Sequence, residues 1–235
     1  MSTLLLRLAG PLQSWGAESR FNHRLTRSEP TKSGVLGLLA AAQGRRRSDP
    51  IEDLLALRFG VRTENPGTQL RDFQTEIDWR TTKAMPLTNR YYLADAVFLV
   101  AIDGPDELMS GLREALLKPT FPLYLGRRSC PPAGPLFAEV RETSFDVALR
   151  QEPWRGHHET KLHKDRSGRL PVVRDCLPGE RADESIRDVP ISFDIRNREY
   201  GWRDVVHEYT KPLIGQSENE DDAFATAEEA NRDSI

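Results

Sequence analysis

Between Ala94 and Asp103 the chain reads Ala-Asp-Ala-Val-Phe-Leu-Val-Ala-Ile-Asp, and no other run constrains the fold as tightly. Its apolar residues do not alternate with polar ones, so a strand made from them is covered on both faces. It is rich in β-branched and aromatic residues and far too short to cross a bilayer as a helix. Such a run reads as a central strand, and the rest of the chain must supply layers on either side.

The flanking segments do so in a regular order. Thr3–Leu8 is a Leu-rich buried strand ended by Ala9-Gly10-Pro11, with an irregular polar loop through Arg27. Thr31-Lys32-Ser33 opens a helix running to about Gly44, with Val35, Leu36, Leu38 and Leu39 on its core side. Ser48-Asp49-Pro50 is a helix start, leading through Ile51–Leu57 to a strand at Arg58–Glu64. Leu70–Ile77 and Thr88–Leu93 read as the arms of a long hairpin, with a polar, Thr-rich connection. Gly104-Pro105-Asp106 starts a helix carrying Leu108, Leu112, Ala115 and Leu116, Pro119 stops it, and Leu136–Val140 is a further strand.

Strand, helix, strand, insertion, strand, helix, strand is the split βαβ order. The fold class expected is α+β: a ferredoxin-like, RRM-like βαββαβ domain with an inserted β-hairpin. It spans residues 1–145, with the hairpin near 69–93. Residues 146–215 form a small β-rich C-terminal region (Leu170–Asp175, Val189–Ile195, Val205–Tyr209), with Gln151–Arg169 polar and loop-like. Residues 216–235 are an acidic tail expected to be disordered.

Charge is distributed unevenly. The formal net charge is −3, but the tail carries seven acidic residues against Arg232, a net of −6, leaving +3 for residues 1–215. The first 47 residues hold eight basic residues against Glu18 and Glu29. This is compatible with a polyanionic partner. Two cysteines, Cys130 and Cys176, are too few for a disulfide scaffold or an all-Cys zinc site and read as reduced thiols of a cytoplasmic protein. No basic leader precedes the first apolar stretch, so no secretory signal is expected.

Three segments carry candidate chemistry. In Thr31-Lys32-Ser33-Gly34-Val35-Leu36-Gly37, the free N–H groups of a helix start, with Lys32 and the hydroxyls of Thr31 and Ser33, suit a phosphate. Gly34, Gly37 and Ala41 make a small-residue stripe, and tight helix packing accounts for it equally well. In Tyr124-Leu125-Gly126-Arg127-Arg128-Ser129-Cys130-Pro131, Gly126 permits a turn that aims Arg127 and Arg128 at phosphates, while Tyr124 offers a stacking face. A proline-stiffened connection with a solvated arginine is the competing account. In the hairpin, Arg71 and Arg90 lie near the base and Trp79, Arg80, Lys83 and Met85 toward the tip, a mixture suited to crossing and unstacking a nucleic-acid strand or to binding protein.

Taken together, Leu6-Arg7-Leu8-Ala9-Gly10-Pro11-Leu12-Gln13-Ser14-Trp15-Gly16, the Lys32–Leu39 helix start and Tyr124–Pro131 resemble the Cas-five family, the CasD-type subunits of type I-E CRISPR Cascade. The resemblance covers most of residues 3–140. It implies a ferredoxin-like body with a hairpin thumb and a non-catalytic role in antiviral defence. Such a subunit holds the 5′ handle of the crRNA, caps one end of the complex and contacts the CasC-type backbone and CasA-type large subunits. Target DNA is met only through the complex, and no membrane, metal or cofactor is implied. The candidate RNA-binding residues are Gln13, Trp15, Arg27, Thr31, Lys32, Ser33, Arg71, Arg90, Tyr124, Arg127 and Arg128.

Some relatives cut the guide precursor, so an alternative is a metal-independent endoribonuclease that processes CRISPR precursor RNA. Cleavage of that kind needs a general acid and base around a ribose 2′-OH. His157, His158, Lys161, His163 and Lys164 are the residue types for it, on a stretch that reads more simply as a solvated loop. A protein-binding adaptor with incidental basic residues is the third reading.

Overall fold

The computed structural model describes residues 2–16, 23–156 and 168–211. The His157–Lys164 cluster and the acidic tail lie outside the described residues.

Seven strands form one antiparallel sheet in the order β10-β11-β9-β4-β7-β1-β8. Its centre is β7 (Val97–Gly104), flanked by β1 (Ser2–Ala9) and β4 (Arg58–Asn65), with β8 (Phe137–Arg141) beyond β1. The two-sided apolar character of β1 and β7 follows from coverage on both faces. Leu4, Leu6, Leu8, Phe98, Val100 and Ile102 pack with α1 (Lys32–Ala42) and α3 (Asp106–Leu117) in the larger core. Leu5, Leu99 and Ala101 pack on the other face with Phe145, Ala148 and Leu149 of α4 (Phe145–Gln151). On α3 the buried residues are Met109, Leu112 and Leu116, one helical stripe.

The helix α4 does not emerge from sequence periodicity, and its fastening explains why. Arg62, wholly buried on β4, donates to the carbonyls of Leu149 (3.0 Å), Glu152 (2.8 Å) and Pro153 (3.0 Å). It thereby satisfies the orphan carbonyls at the helix end. Its charge is met by buried Glu64 at 2.5 Å. A seven-residue helix is marginal alone, and this one is held by a guanidinium on another strand.

Two local expectations change. The Ala94–Asp103 run is not one strand: β6 (Thr88–Ala94) ends where Asp95 turns with φ 55°, and β7 starts at Val97. Asp49 does not cap α2 (Glu52–Leu55); its carboxylate accepts from the Arg46 amide at 2.7 Å and closes the turn after α1. The C-terminal strands β9 (Leu170–Asp175), β10 (Glu184–Ser192) and β11 (Glu199–Thr210) join the main sheet through β9–β4 pairing rather than standing apart as an appendage.

A second sheet is built on β6. It pairs antiparallel with β5 (Thr68–Gln74) on one side, and on the other with β2 (Leu12–Gln13) antiparallel and β3 (His23–Arg24) parallel. The β5–β6 hairpin extends past the isolated bridge Ile77–Ala84 to a turn in which Asp78 accepts from the Arg80 amide. No helix among the described residues is long and apolar enough to cross a membrane.

Candidate nucleic-acid interface

The segment after α3 is pinned at two buried points. Leu125 donates its amide to the Cys130 carbonyl (2.7 Å), Cys130 donates to the Arg127 carbonyl (2.9 Å), and Ser14 donates to the Leu125 carbonyl (3.1 Å). Gly126 lies between, at φ +86°, where a Cβ would fall 1.9 Å from the Ser14 carbonyl oxygen. Only glycine fits such a position. Burial pushes the Cys130 thiol above its ordinary value, as suits a packing residue.

This closed turn sends the two arginines in different directions. Arg127 donates to the carbonyls of Arg24 (2.7 Å), Tyr91 (3.3 Å) and Leu25 (3.4 Å) and lies 5.0 Å from the Tyr92 ring centroid. It ties the loop to β3 and β6. Arg128 is exposed and has no ion pair or side-chain hydrogen bond among the described residues.

Gln13 and Trp15 brace the same region from inside. The Gln13 amide nitrogen donates to the Leu8 (3.2 Å) and Ala96 (2.7 Å) carbonyls, and its oxygen accepts from the Trp15 indole N–H at 3.1 Å. Both side chains are wholly buried. The indole lies against the start of α1, where a Cβ on Gly34 would sit 2.8 Å from Trp15 Cε3. The small-residue stripe therefore serves close packing: Gly34 receives Trp15 and Gly37 receives the Phe193 ring.

The start of α1 is already occupied. The Lys32 amide donates to Asp188 Oδ2 at 2.8 Å and the Gly34 amide to Thr31 Oγ1 at 3.2 Å. Lys32 Nζ meets Asp175 at 3.0 Å, and Arg203 binds both carboxylates, at 2.7 Å (Asp175) and 2.6 Å (Asp188). An internal carboxylate takes the place expected for a phosphate, and Lys32 is almost fully buried and does not line the open side. Thr31 and Ser33 still line the open side.

That open side is a groove of about 1170 Å³. Its lining includes seven arginines, Arg24, Arg45, Arg46, Arg47, Arg127, Arg128 and Arg198, and no aspartate or glutamate. Tyr124, Phe121, Phe193 and Tyr200 contribute aromatic faces. Arg45 is neutralised by Asp53 at 2.5 Å and Arg127 is spent on carbonyls; Arg24, Arg46, Arg47, Arg128 and Arg198 have no ion pair or side-chain hydrogen bond among the described residues. Positive charge without a counter-charge, beside flat aromatic rings, suits a single-stranded polyanion that carries bases.

The remaining expected residues fall elsewhere. Arg27 pairs with Glu29 (3.2 Å) and Glu184 (3.3 Å), and Arg90 with Glu76 (3.0 Å). Arg71 donates twice to Asn89 Oδ1. None of these three lines the groove. At the hairpin tip Trp79 is 82% exposed, with the Arg80 guanidinium 5.2 Å from its ring, and Lys83 and Met85 are exposed beside them. The sequence reading missed Arg24, Arg46, Arg47 and Arg198. The Arg45-Arg46-Arg47 run was a visible signal, whereas Arg198 reaches the groove only through the β10–β11 turn. No group of potential metal ligands occurs among the described residues.

Comparison with known proteins agrees with this architecture. The family model described as CRISPR-associated protein (Cas_Cas5) matches residues 3–206. The chain belongs to that family. It is 41% identical over 164 residues to the CRISPR system Cascade subunit CasD of Escherichia coli (strain K12), covering 61% of this chain and 73% of that protein. A chain from a solved CRISPR RNA-guided surveillance complex superposes with TM-score 0.74 at 33% identity, over 95% of this chain and 98% of its own length. A crystal structure of a Cas protein gives TM-score 0.69 at 38% identity, over 89% and 95%.

Proposed function

We propose that this chain is a non-catalytic, RNA-binding subunit of a Cascade-type CRISPR surveillance complex. In this reading it holds the 5′ handle of the crRNA along the arginine groove and caps one end of the assembly. The observation that carries the proposal is the groove itself: seven guanidiniums, no carboxylate, and aromatic faces. Arg128, Arg24, Arg46, Arg47 and Arg198 are the groups free to meet phosphates, with Tyr124 placed to stack on a base. Arg127, Gln13, Trp15 and Thr31 act by positioning them.

The finer fold reading has similar support. The strand order β4-β7-β1-β8, with α1 and α3 on one face, is what a ferredoxin-like βαββαβ unit requires. We read residues 1–145 as that unit, the β5–β6 hairpin as its thumb, and residues 146–215 as a C-terminal region that widens the sheet. The exposed tip at Trp79 and Met85 suits contact with a CasC-type backbone subunit, and a CasA-type large subunit completes the partners, with target DNA met only within the complex.

The test is RNA binding across salt concentrations with a repeat-derived handle oligonucleotide. Each phosphate contact adds about 0.7 to the slope of log affinity against log salt for single strands. Four or five free arginines predict a slope near −3. The double variant Arg46→Glu, Arg128→Glu should lower it by more than one; an unchanged slope refutes the groove as the RNA site. Specific cleavage of repeat RNA by the purified chain would refute the non-catalytic reading.

A further inference from the structure

Of the seven arginines that line the groove, Arg45 alone is held by a carboxylate among the described residues. Its Nη1 and Nη2 donate to Asp53 Oδ1 and Oδ2 at 2.5 and 2.6 Å, and Nη1 donates also to the Pro50 carbonyl at 3.0 Å. Asp53 belongs to α2 and does not line the groove, so the carboxylate holds the arginine from outside it. The backbone sets up this pairing. Past the end of α1, Gly44 turns with φ +80° and the Arg45 amide returns to the Ala40 carbonyl at 2.8 Å. The next two residues, Arg46 and Arg47, are exposed and carry no counter-charge among the described residues.

The Asp53 carboxylate gives Arg45 what a phosphate would give it: two acceptor oxygens matched to the fork of a guanidinium. The pair is open to water, with side-chain exposures of 22% for Arg45 and 43% for Asp53, and ion pairs so exposed are weakly held. Asp53 stays ionised, because its hydrogen bond to Arg45 holds the carboxyl below the ordinary value. In the free chain it also relieves repulsion among three consecutive guanidiniums. A phosphate lying beside Arg46 and Arg47 would relieve the same repulsion and offer Arg45 the same geometry. Carboxylate and phosphate therefore compete for one guanidinium.

We propose that Asp53 is a specificity-determining residue of the groove: it withholds Arg45 from weak polyanions, and RNA that sets a phosphate at the end of α1 takes the arginine over. The inference rests on the reading of the groove as the RNA site and adds an internal competitor to it. A ligand with no phosphate at that place meets only the five unpaired arginines. RNA affinity is lowered by the fraction of time Arg45 is free, and for an exposed pair at the strong end of its range that fraction is about one fifth. Asp53 should thus weaken RNA binding about fivefold.

A double-mutant cycle on the full-length chain tests it, with anisotropy of a fluorescein-labelled ten-nucleotide oligouridine as the readout. Asp53→Asn should bind about fivefold more tightly than wild type at 50 mM salt, Asp53→Ser should repeat the gain, and Asp53→Glu should bind like wild type. With Arg45→Gln already in place, Asp53→Asn should change affinity by less than about twofold. A gain that persists without Arg45 would be plain repulsion between Asp53 and RNA, and it overturns the inference, as does equal binding by Asp53→Asn and wild type. In the Asp53→Asn background, Arg45→Gln should take about 0.7 from the salt slope, one phosphate contact, and an unchanged slope also overturns it. The Arg46→Glu, Arg128→Glu variant separates the two readings. Binding that this variant abolishes but Asp53→Asn leaves unchanged refutes the competitor and keeps the groove. Binding indifferent to Arg46 and Arg128 refutes the groove, and the competitor with it.

Discussion

Replacing Arg127 and Arg128 one at a time should separate two roles that adjacent identical residues conceal. Arg127→Ala removes one short charged hydrogen bond, to the Arg24 carbonyl at 2.7 Å, and two longer ones. It also removes the cation–π contact with Tyr92. A hydrogen bond to a charged group contributes about 1.5–3 kcal/mol and an exposed cation–π contact about 0.5–1 kcal/mol. The Tyr91 carbonyl keeps its bond from Ser14 Oγ at 2.9 Å, and water reaches the exposed Arg24 and Leu25, so the loss stays near the low end. About 2 kcal/mol is expected, which in a chain of this size lowers Tm by roughly 4–8 °C. Arg128→Ala removes an exposed side chain without partners and should change stability by less than about 0.5 kcal/mol. Its effect should instead appear as a loss of about 0.7 from the salt slope of RNA binding. Differential scanning fluorimetry and a salt titration on both variants read the two effects. An Arg127→Ala protein that melts with wild type, or an Arg128→Ala protein that melts early, would refute the division of labour.

Lys32→Ala should destabilise by about 1–2 kcal/mol, less than orphaning a buried charge costs, because Asp175 keeps Arg203 at 2.7 Å and the Phe59 amide at 2.9 Å; the RNA salt slope should not move. Gly126→Ala should cost about 3 kcal/mol in chemical denaturation, since the left-handed backbone and the 1.9 Å approach to Ser14 both oppose a Cβ. Glu180, held by Arg174 at 2.7 Å, has its carboxyl pulled down to about 2 from the usual 4.5. A lowered folded-state value means stability that is fully present above pH 4.5 and lost as pH falls toward 2. The stability gap between wild type and Glu180→Gln should therefore close over that interval, and a gap independent of pH would refute the pairing.

How far the sequence carried the reading depended on whether the deciding partner was local. The alternation of strands and helices follows from periodicity and turn chemistry, both written within a few residues, and the strands lie close to where they are expected. Gly126 was legible as a turn for the same reason. The direction of Lys32 was not, because its carboxylate partners lie at Asp175 and Asp188, more than 140 residues away. A lysine at a helix start reads as a phosphate ligand until the fold brings a carboxylate to it. The same holds for α4, whose end is capped by Arg62 from β4, 87 residues before Leu149.

The Arg127–Arg128 pair shows the limit most sharply, since no local rule distinguishes two neighbouring arginines. What separates them is the φ of +86° at Gly126 and the presence of three carbonyls on one side only. The groove itself is assembled from residues 14 to 200, its free charges coming from β3, the end of α1, the 124–131 loop and the β10–β11 turn. Charge and aromatics in the sequence raise the expectation of a polyanionic partner. Which arginine holds the loop and which is left exposed to the groove depends on carbonyls that only the folded sheet presents.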